Sequence, residues 1–258
     1  MTDRVTRRLR AEVWIVLGLS LGYSGLRATW ELVKRYLSET PIRSQTKTLN
    51  PSYTGIDVMD LIRQLLEIGF KVVPVALVLY LLGSGSVRAR DTLGLVWTPR
   101  WRAAGRDLGR GVLLALTIGI PGIGVYVAGR VLGQVVGIDV SGLPDAWWSA
   151  LVLLLSACAT GLLEETVAVG YLLTRLGELR WRVPAMVLAS AVLRASYHLY
   201  QGWPMAVGNL VMGVVFAIAY LRWKRLGPLI AAHALIDLTT YIGPEIIPDS
   251  WVETLRLA

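Results

Sequence analysis

The sequence predicts an all-α, polytopic membrane bundle of about seven transmembrane helices with one interfacial segment. Three observations lead there. Of 258 residues, 54% are hydrophobic and only 17% are charged, against about 25% charged in an average soluble domain, and the mean hydropathy is +0.55. The apolar residues gather in runs of roughly 20, the length of a helix that crosses a bilayer core. Positive charge collects in every second loop between those runs. No polar stretch is long enough for a separate soluble domain, so residues 1–258 are read as one membrane domain.

The runs fall at roughly 12–30, 65–84, 108–132, 147–174, 183–200, 204–221 and 227–243. Arg27 interrupts the first and Lys71 the second. Asp60, Arg63 and Glu67 share a helical face ahead of the second, so that helix is expected to begin outside the bilayer. The segment "TLGLVWTPRWRAAGRDLGRG" is too charged to span, and Trp97 and Trp101 among its arginines suit an element at the interface. Arg4, Arg7, Arg8 and Arg10 place the N-terminus in the cytoplasm of a multi-pass cell-membrane protein. Basic residues at 88–106, 175–182 and 222–225 alternate with a 133–146 loop that has acids and no base. Trp147, Trp148, Trp181, Trp203 and Trp223 stand at predicted helix ends, as an aromatic belt requires.

The net charge of +8 does not indicate nucleic acid, because the arginines sit in loops and no basic–aromatic surface recurs. The lipid bilayer, with its anionic inner leaflet, is the partner that such loops fit. A single cysteine, Cys158, excludes an intramolecular disulfide and any cysteine-based zinc site. The basic, then apolar, N-terminus lacks a clear Ala-x-Ala site and reads as an uncleaved first span.

Few ionisable residues remain inside the runs. They are Glu164 and Glu165, Arg194 and His198, and His233 and Asp237, on three different helices. Each of the last two pairs is spaced four residues apart and so shares one helix face. The adjacent glutamates lie about 100° apart on an α-helix, so one is expected to face a cavity while the other braces a neighbouring helix. An acidic residue at the centre of a span costs roughly 2.5–3.5 kcal/mol, and ionisable groups there read as functional. Two imidazoles and a glutamate can activate water and stabilise an oxyanion. They are equally the ligand set of a hydrolytic zinc site.

The stretches "EETVAVGYLLTRL", "LRASYHLYQG" and "HALID" resemble the three motifs of the CPBP (Abi) intramembrane proteases, relatives of the CAAX prenyl endopeptidase. The resemblance covers residues 145–243, the core that carries the motifs. The family's Glu-Glu-x-x-x-Arg is matched by Glu164 and Glu165, with Val169 at the arginine position. Its Phe-x-x-x-His is matched by His198, with Arg194 at the phenylalanine position. Its His-x-x-x-Asn/Asp is matched by His233 and Asp237.

The resemblance implies an intramembrane endopeptidase acting on a membrane-associated peptide or protein. Glu164 would be its general base and His198 would help to hold the water. His233 and Asp237 would position groups or stabilise the oxyanion, with Glu165 and Arg194 in support. An ionised Asp237 cannot donate a hydrogen bond, so orienting His233 or binding a metal are its alternatives. A divalent metal such as zinc stays open as a cofactor, with Glu164, His198 and His233 as candidate ligands. Without the motif arginine, Glu165 needs another cation, and Arg194 is expected to pair across helices with Glu165 or Glu164. His198 reads as deeper than the other two, which is reconciled if "YQGWP" is a short turn buried in the protein. The competing readings are a non-catalytic scaffold or immunity protein that kept the fold, and a proton-coupled carrier, for which no inverted repeat is found.

Overall fold

The computed structural model describes residues 2–83, 88–95, 101–139, 142–143 and 146–246. Trp97, Arg100 and Asp145 lie outside them. The architecture is an all-α polytopic bundle. Four described helices are long and apolar enough to cross a membrane: Asp57–Leu82, Trp101–Val131, Ser149–Glu178 and Trp203–Trp223.

The expected first span is instead two helices, α1 (Asp3–Gly18) and α2 (Leu21–Tyr36). The chain breaks at Ser20, whose Oγ donates to the Val16 carbonyl at 2.6 Å. A serine that bonds the preceding turn competes with helix continuation, and the flanking Gly18 and Gly22 lower its propensity further. Each piece is about 24 Å long, short for a span. A strand β1 (Thr46–Thr48) follows, then α3 (Asp57–Leu82). Asp60, near the start of α3, accepts bonds from Ser52 Oγ and from the backbone N–H groups of Tyr53 and Thr54.

After the short α4 (Ala89–Thr92) comes α5 (Trp101–Val131). Residues 101–111 were expected to form part of a separate interfacial segment, but they are the first turns of α5. At 31 residues this helix is about 46 Å long, so its polar start overshoots a core of about 30 Å. Asp107 there accepts from Arg225 Nε at 2.7 Å and holds the guanidinium proton more firmly than in a free arginine.

The loop beyond α5 contains β2 (Gly137–Asp139), which pairs in parallel with β1, Thr46 opposite Gly137 and Thr48 opposite Asp139. The second half comprises α6 (Ser149–Glu164), a π-helical stretch Glu165–Tyr171, α7 (Leu172–Glu178), α8 (Val183–Tyr197), α9 (Trp203–Trp223) and α10 (Gly227–Ile246). The run expected to span at 183–200 is a correction too. α8 stops after 15 residues, about 22 Å, and turns back inside the protein. The main core lies where α8 and α9 pack on the π stretch and α7, with Tyr171, Leu173, Phe216 and Leu229 fully enclosed.

Candidate active site

Three helices deliver the ionisable residues to one place, and small residues let them approach. Gly161 lies one turn before Glu164 on α6. A Cβ added there would meet the Ile230 carbonyl at 3.1 Å and the Ala234 nitrogen at 3.2 Å. That backbone contact sets α10 against α6 and presents His233 to both glutamates.

The two glutamates share partners, although Glu165 is enclosed and braces α8 and α10 while Glu164 is 10% exposed. His233 Nδ1 is 2.6 Å from Glu165 Oε1, and His233 Nε2 is 3.7 Å from Glu164 Oε2. Two features cause this. The helix changes to π geometry at Glu165, which winds more residues into each turn and reduces the rotation between neighbours. Arg194 then sits between the carboxylates, its two terminal nitrogens 2.6 Å from Glu165 Oε1 and 3.5 Å from Glu164 Oε2. The π stretch is itself held from outside, for Ser190 Oγ on α8 donates to the Ala168 carbonyl at 2.6 Å.

Arg194 is fully buried, with its guanidinium carbon 5.3 Å from the centre of the Phe216 ring. A cation over an aromatic face regains part of the hydration it has lost. Phe216 was not singled out in the sequence. It is one of two phenylalanines in the chain, but on an apolar helix nothing marks it as a partner for a charge. Lys71 was noted only as an interruption. Its Nζ on α3 donates to Ser156 Oγ at 3.0 Å and Thr160 Oγ1 at 2.9 Å on α6.

The expected site residues fall into two layers. Glu165, Arg194 and His233 form an inner ion cluster with side chains 0–4% exposed. Glu164 at 10%, Asp237 at 22% and the half-buried His198 form the reachable layer. Asp237 Oδ1 is 3.7 Å from His233 Nε2. His198 caps α8, and its Nδ1 lies 3.0 Å from the Arg194 carbonyl. Its ring is close enough to Glu164 for their charges to interact. The chain then makes a 3₁₀ turn, Leu199–Gln201, and passes through a buried Gly202 at φ +114° packed on Gln134 and Val135. Of "YQGWP", Tyr200–Gly202 thus form a partly buried turn that ends α8, whereas Trp203 is 50% exposed and begins α9.

Partners fix the histidine tautomers. A carbonyl only accepts, so His198 carries its proton on Nδ1 and, when neutral, offers a bare Nε2. A carboxylate also only accepts, so His233 carries a proton on Nδ1 toward Glu165, and its Nε2 faces two further carboxylates, Glu164 and Asp237.

A resident metal does not fit this arrangement. Among the described residues no group of three or more His, Cys, Asp or Glu is placed to hold one. His233 Nδ1 is committed to Glu165, and the Arg194 guanidinium puts a fixed positive charge beside Glu164.

Residues 146–239 match the family model described as Type II CAAX prenyl endopeptidase Rce1-like. No curated protein and no solved structure matches the chain. The matched segment contains Glu164, Glu165, Arg194, His198, His233 and Asp237, and over this motif-bearing segment the chain is similar to that endopeptidase family.

Proposed function

We propose that this multi-pass protein, with its N-terminus in the cytoplasm, hydrolyses a peptide bond in a membrane-associated peptide or protein, using a water activated by Glu164. The observation that carries the reading is the gathering of polar groups at the reachable layer. Glu164 Oε2 and Asp237 Oδ1 each lie 3.7 Å from Nε2 of His233. Polar atoms at that separation can be bridged through a third group, and a water there can donate to Glu164. As the water oxygen attacks the substrate carbonyl carbon, its proton passes to Glu164 and the C=O π pair moves onto oxygen. Collapse of the tetrahedral intermediate breaks the C–N bond, and Glu164 returns the proton to the departing nitrogen. His198 Nε2 accepts the second hydrogen bond of the water. Glu165 orients His233, and Arg194 holds both carboxylates.

A second reading is a scaffold that kept the fold, and the Arg194 guanidinium lodged against both glutamates favours it. Glu164→Gln separates the two. A membrane-peptide library is incubated with purified wild type and with the variant. Cleavage by wild type, lost in Glu164→Gln with thermal stability retained, supports the peptidase. Equal cellular function of the two proteins would sink it. Activity that a chelator removes and zinc restores would overturn the metal-free form of the mechanism.

A further inference from the structure

Lys71 stands near the middle of α3, where an ammonium is costly and ordinarily closes on an anion. Here it does not. Its Nζ donates to two neutral hydroxyls, Ser156 at 3.0 Å and Thr160 at 2.9 Å. Among the described residues it is in ion-pair contact with no carboxylate. Glu67, one turn earlier on α3, is engaged by Arg63 at 3.1 Å, and Glu164 and Asp237 lie 3.7 Å from His233. An ammonium has three N–H donors, so one remains for a further acceptor.

The two hydroxyls fix where that donor is. Ser156, Thr160 and Glu164 follow one another at four-residue spacing on α6 and share its face. Thr160 precedes Glu164 by about 6 Å along the helix axis, so the ammonium sits about one turn from the general base. It is close enough to Glu164 and Asp237 for their charges to interact. Lys71 and Thr160 are half-buried, and the Asp237 side chain is 22% exposed. Arg194, by contrast, is enclosed and already holds both glutamates. Lys71 therefore borders the reachable layer with a charged donor to spare.

We propose that Lys71 binds a carboxylate of the substrate and thereby sets which peptide bond meets Glu164. An extended peptide advances about 3.3–3.6 Å per residue, so the bound carboxylate lies about two residues from the carbonyl attacked. A chain terminus or an Asp or Glu side chain supplies the same group. The charge-assisted bond selects substrates that carry it and fixes their register along α6. This assignment deepens the peptidase reading and rests on it.

The test takes one cleaved peptide in two pairs. The first ends two residues beyond the scissile bond in a free carboxylate or a carboxamide. The second is longer and carries Glu or Gln two residues to either side of that bond. A hydrogen bond to a charged group is worth roughly 10- to 100-fold in affinity. Wild type should cleave one acid form with a KM lower than its neutral twin's by that factor, and the pair that shows it identifies the source. Lys71→Met should raise the KM of that acid form to the level of its twin, and Lys71→Arg should keep the preference. Equal KM within both pairs in wild type, or a preference that survives in Lys71→Met, overturns the assignment and leaves the peptidase intact. So does a Lys71→Met that slows both twins by one factor, the mark of a structural counter-charge. The wild-type comparison needs no variant and decides the matter if Lys71→Met does not fold. Cleavage of no peptide by wild type, or equal cleavage by Glu164→Gln, overturns the peptidase and the role of Lys71 with it.

Discussion

Glu165 Oε1 accepts from His233 Nδ1 and from an Arg194 terminal nitrogen, each at 2.6 Å. One carboxylate oxygen thus ties α8 and α10 to the π stretch, in a place closed to solvent. The groups that hold the site together are therefore distinct from those that a substrate can reach.

Arg194 should be the most costly of the inner residues to lose. Removing one side of a buried ion pair costs about 3–5 kcal/mol, and Arg194→Leu strands two carboxylates. Arg194→Lys keeps the charge, but a single ammonium cannot replace the guanidinium fork, so its stability should fall between wild type and the leucine variant. Thermal unfolding in detergent measures both, and a silent Arg194→Leu would refute the pairing.

The two glutamates should separate in the same assay. Glu165→Gln removes the charge contacted at 2.6 Å by two partners, whereas Glu164 meets Arg194 only at 3.5 Å. The Glu165 variant is expected to lose roughly 2–3 kcal/mol, and the Glu164 variant less than 1 kcal/mol of that order. The reverse ranking would mean that the layers are assigned the wrong way round.

Gly161→Val tests how the site is positioned. Its side chain would press on the α10 backbone beside His233, and overpacking of this kind costs about 1–3 kcal/mol. Displacing α10 also spoils catalytic geometry, so kcat should fall further than stability alone accounts for. Gly161→Ala should lie between, since its contacts of 3.1–3.3 Å need only a small shift.

Gly202→Ala probes the turn that carries His198. A non-glycine residue at φ +114° is strained by about 1–3 kcal/mol, and the added methyl meets the Gln134 carbonyl. A lower melting temperature together with a lower kcat is expected. An unchanged kcat would show that the turn does not position His198.

The six ionisable residues of the site were legible because so few charges interrupt the apolar runs, and their spacing gave the faces they share. The Arg194 pairing followed from charge balance, since a carboxylate and a guanidinium both stranded in apolar helices need one another. The convergence of Glu164 and Glu165 was not legible. It depends on a change to π winding, which Thr166–Tyr171 do not announce by composition, and on an arginine from another helix lodging between the two. The break at Ser20 and the early end of α8 were hidden for a similar reason. A hydropathy run records apolar length and not where a side chain or a docked loop stops the helix. The β1–β2 ladder joins segments too short and too far apart to be read from periodicity.

That ladder bears on the order of events during synthesis. β1 and β2 pair across 91 positions, with Thr48 Oγ1 donating to Asp139 Oδ2 at 3.1 Å, so pairing waits until the intervening helices have emerged. The ledge just before β2 then receives the turn after α8, where the Val136 N–H donates to the Gln201 carbonyl at 3.2 Å. A chain made from its N-terminus completes this ledge before His198 exists, and His233 arrives later still. The Glu165–Arg194–His233 cluster therefore closes only once α10, the last of the described helices, is in place.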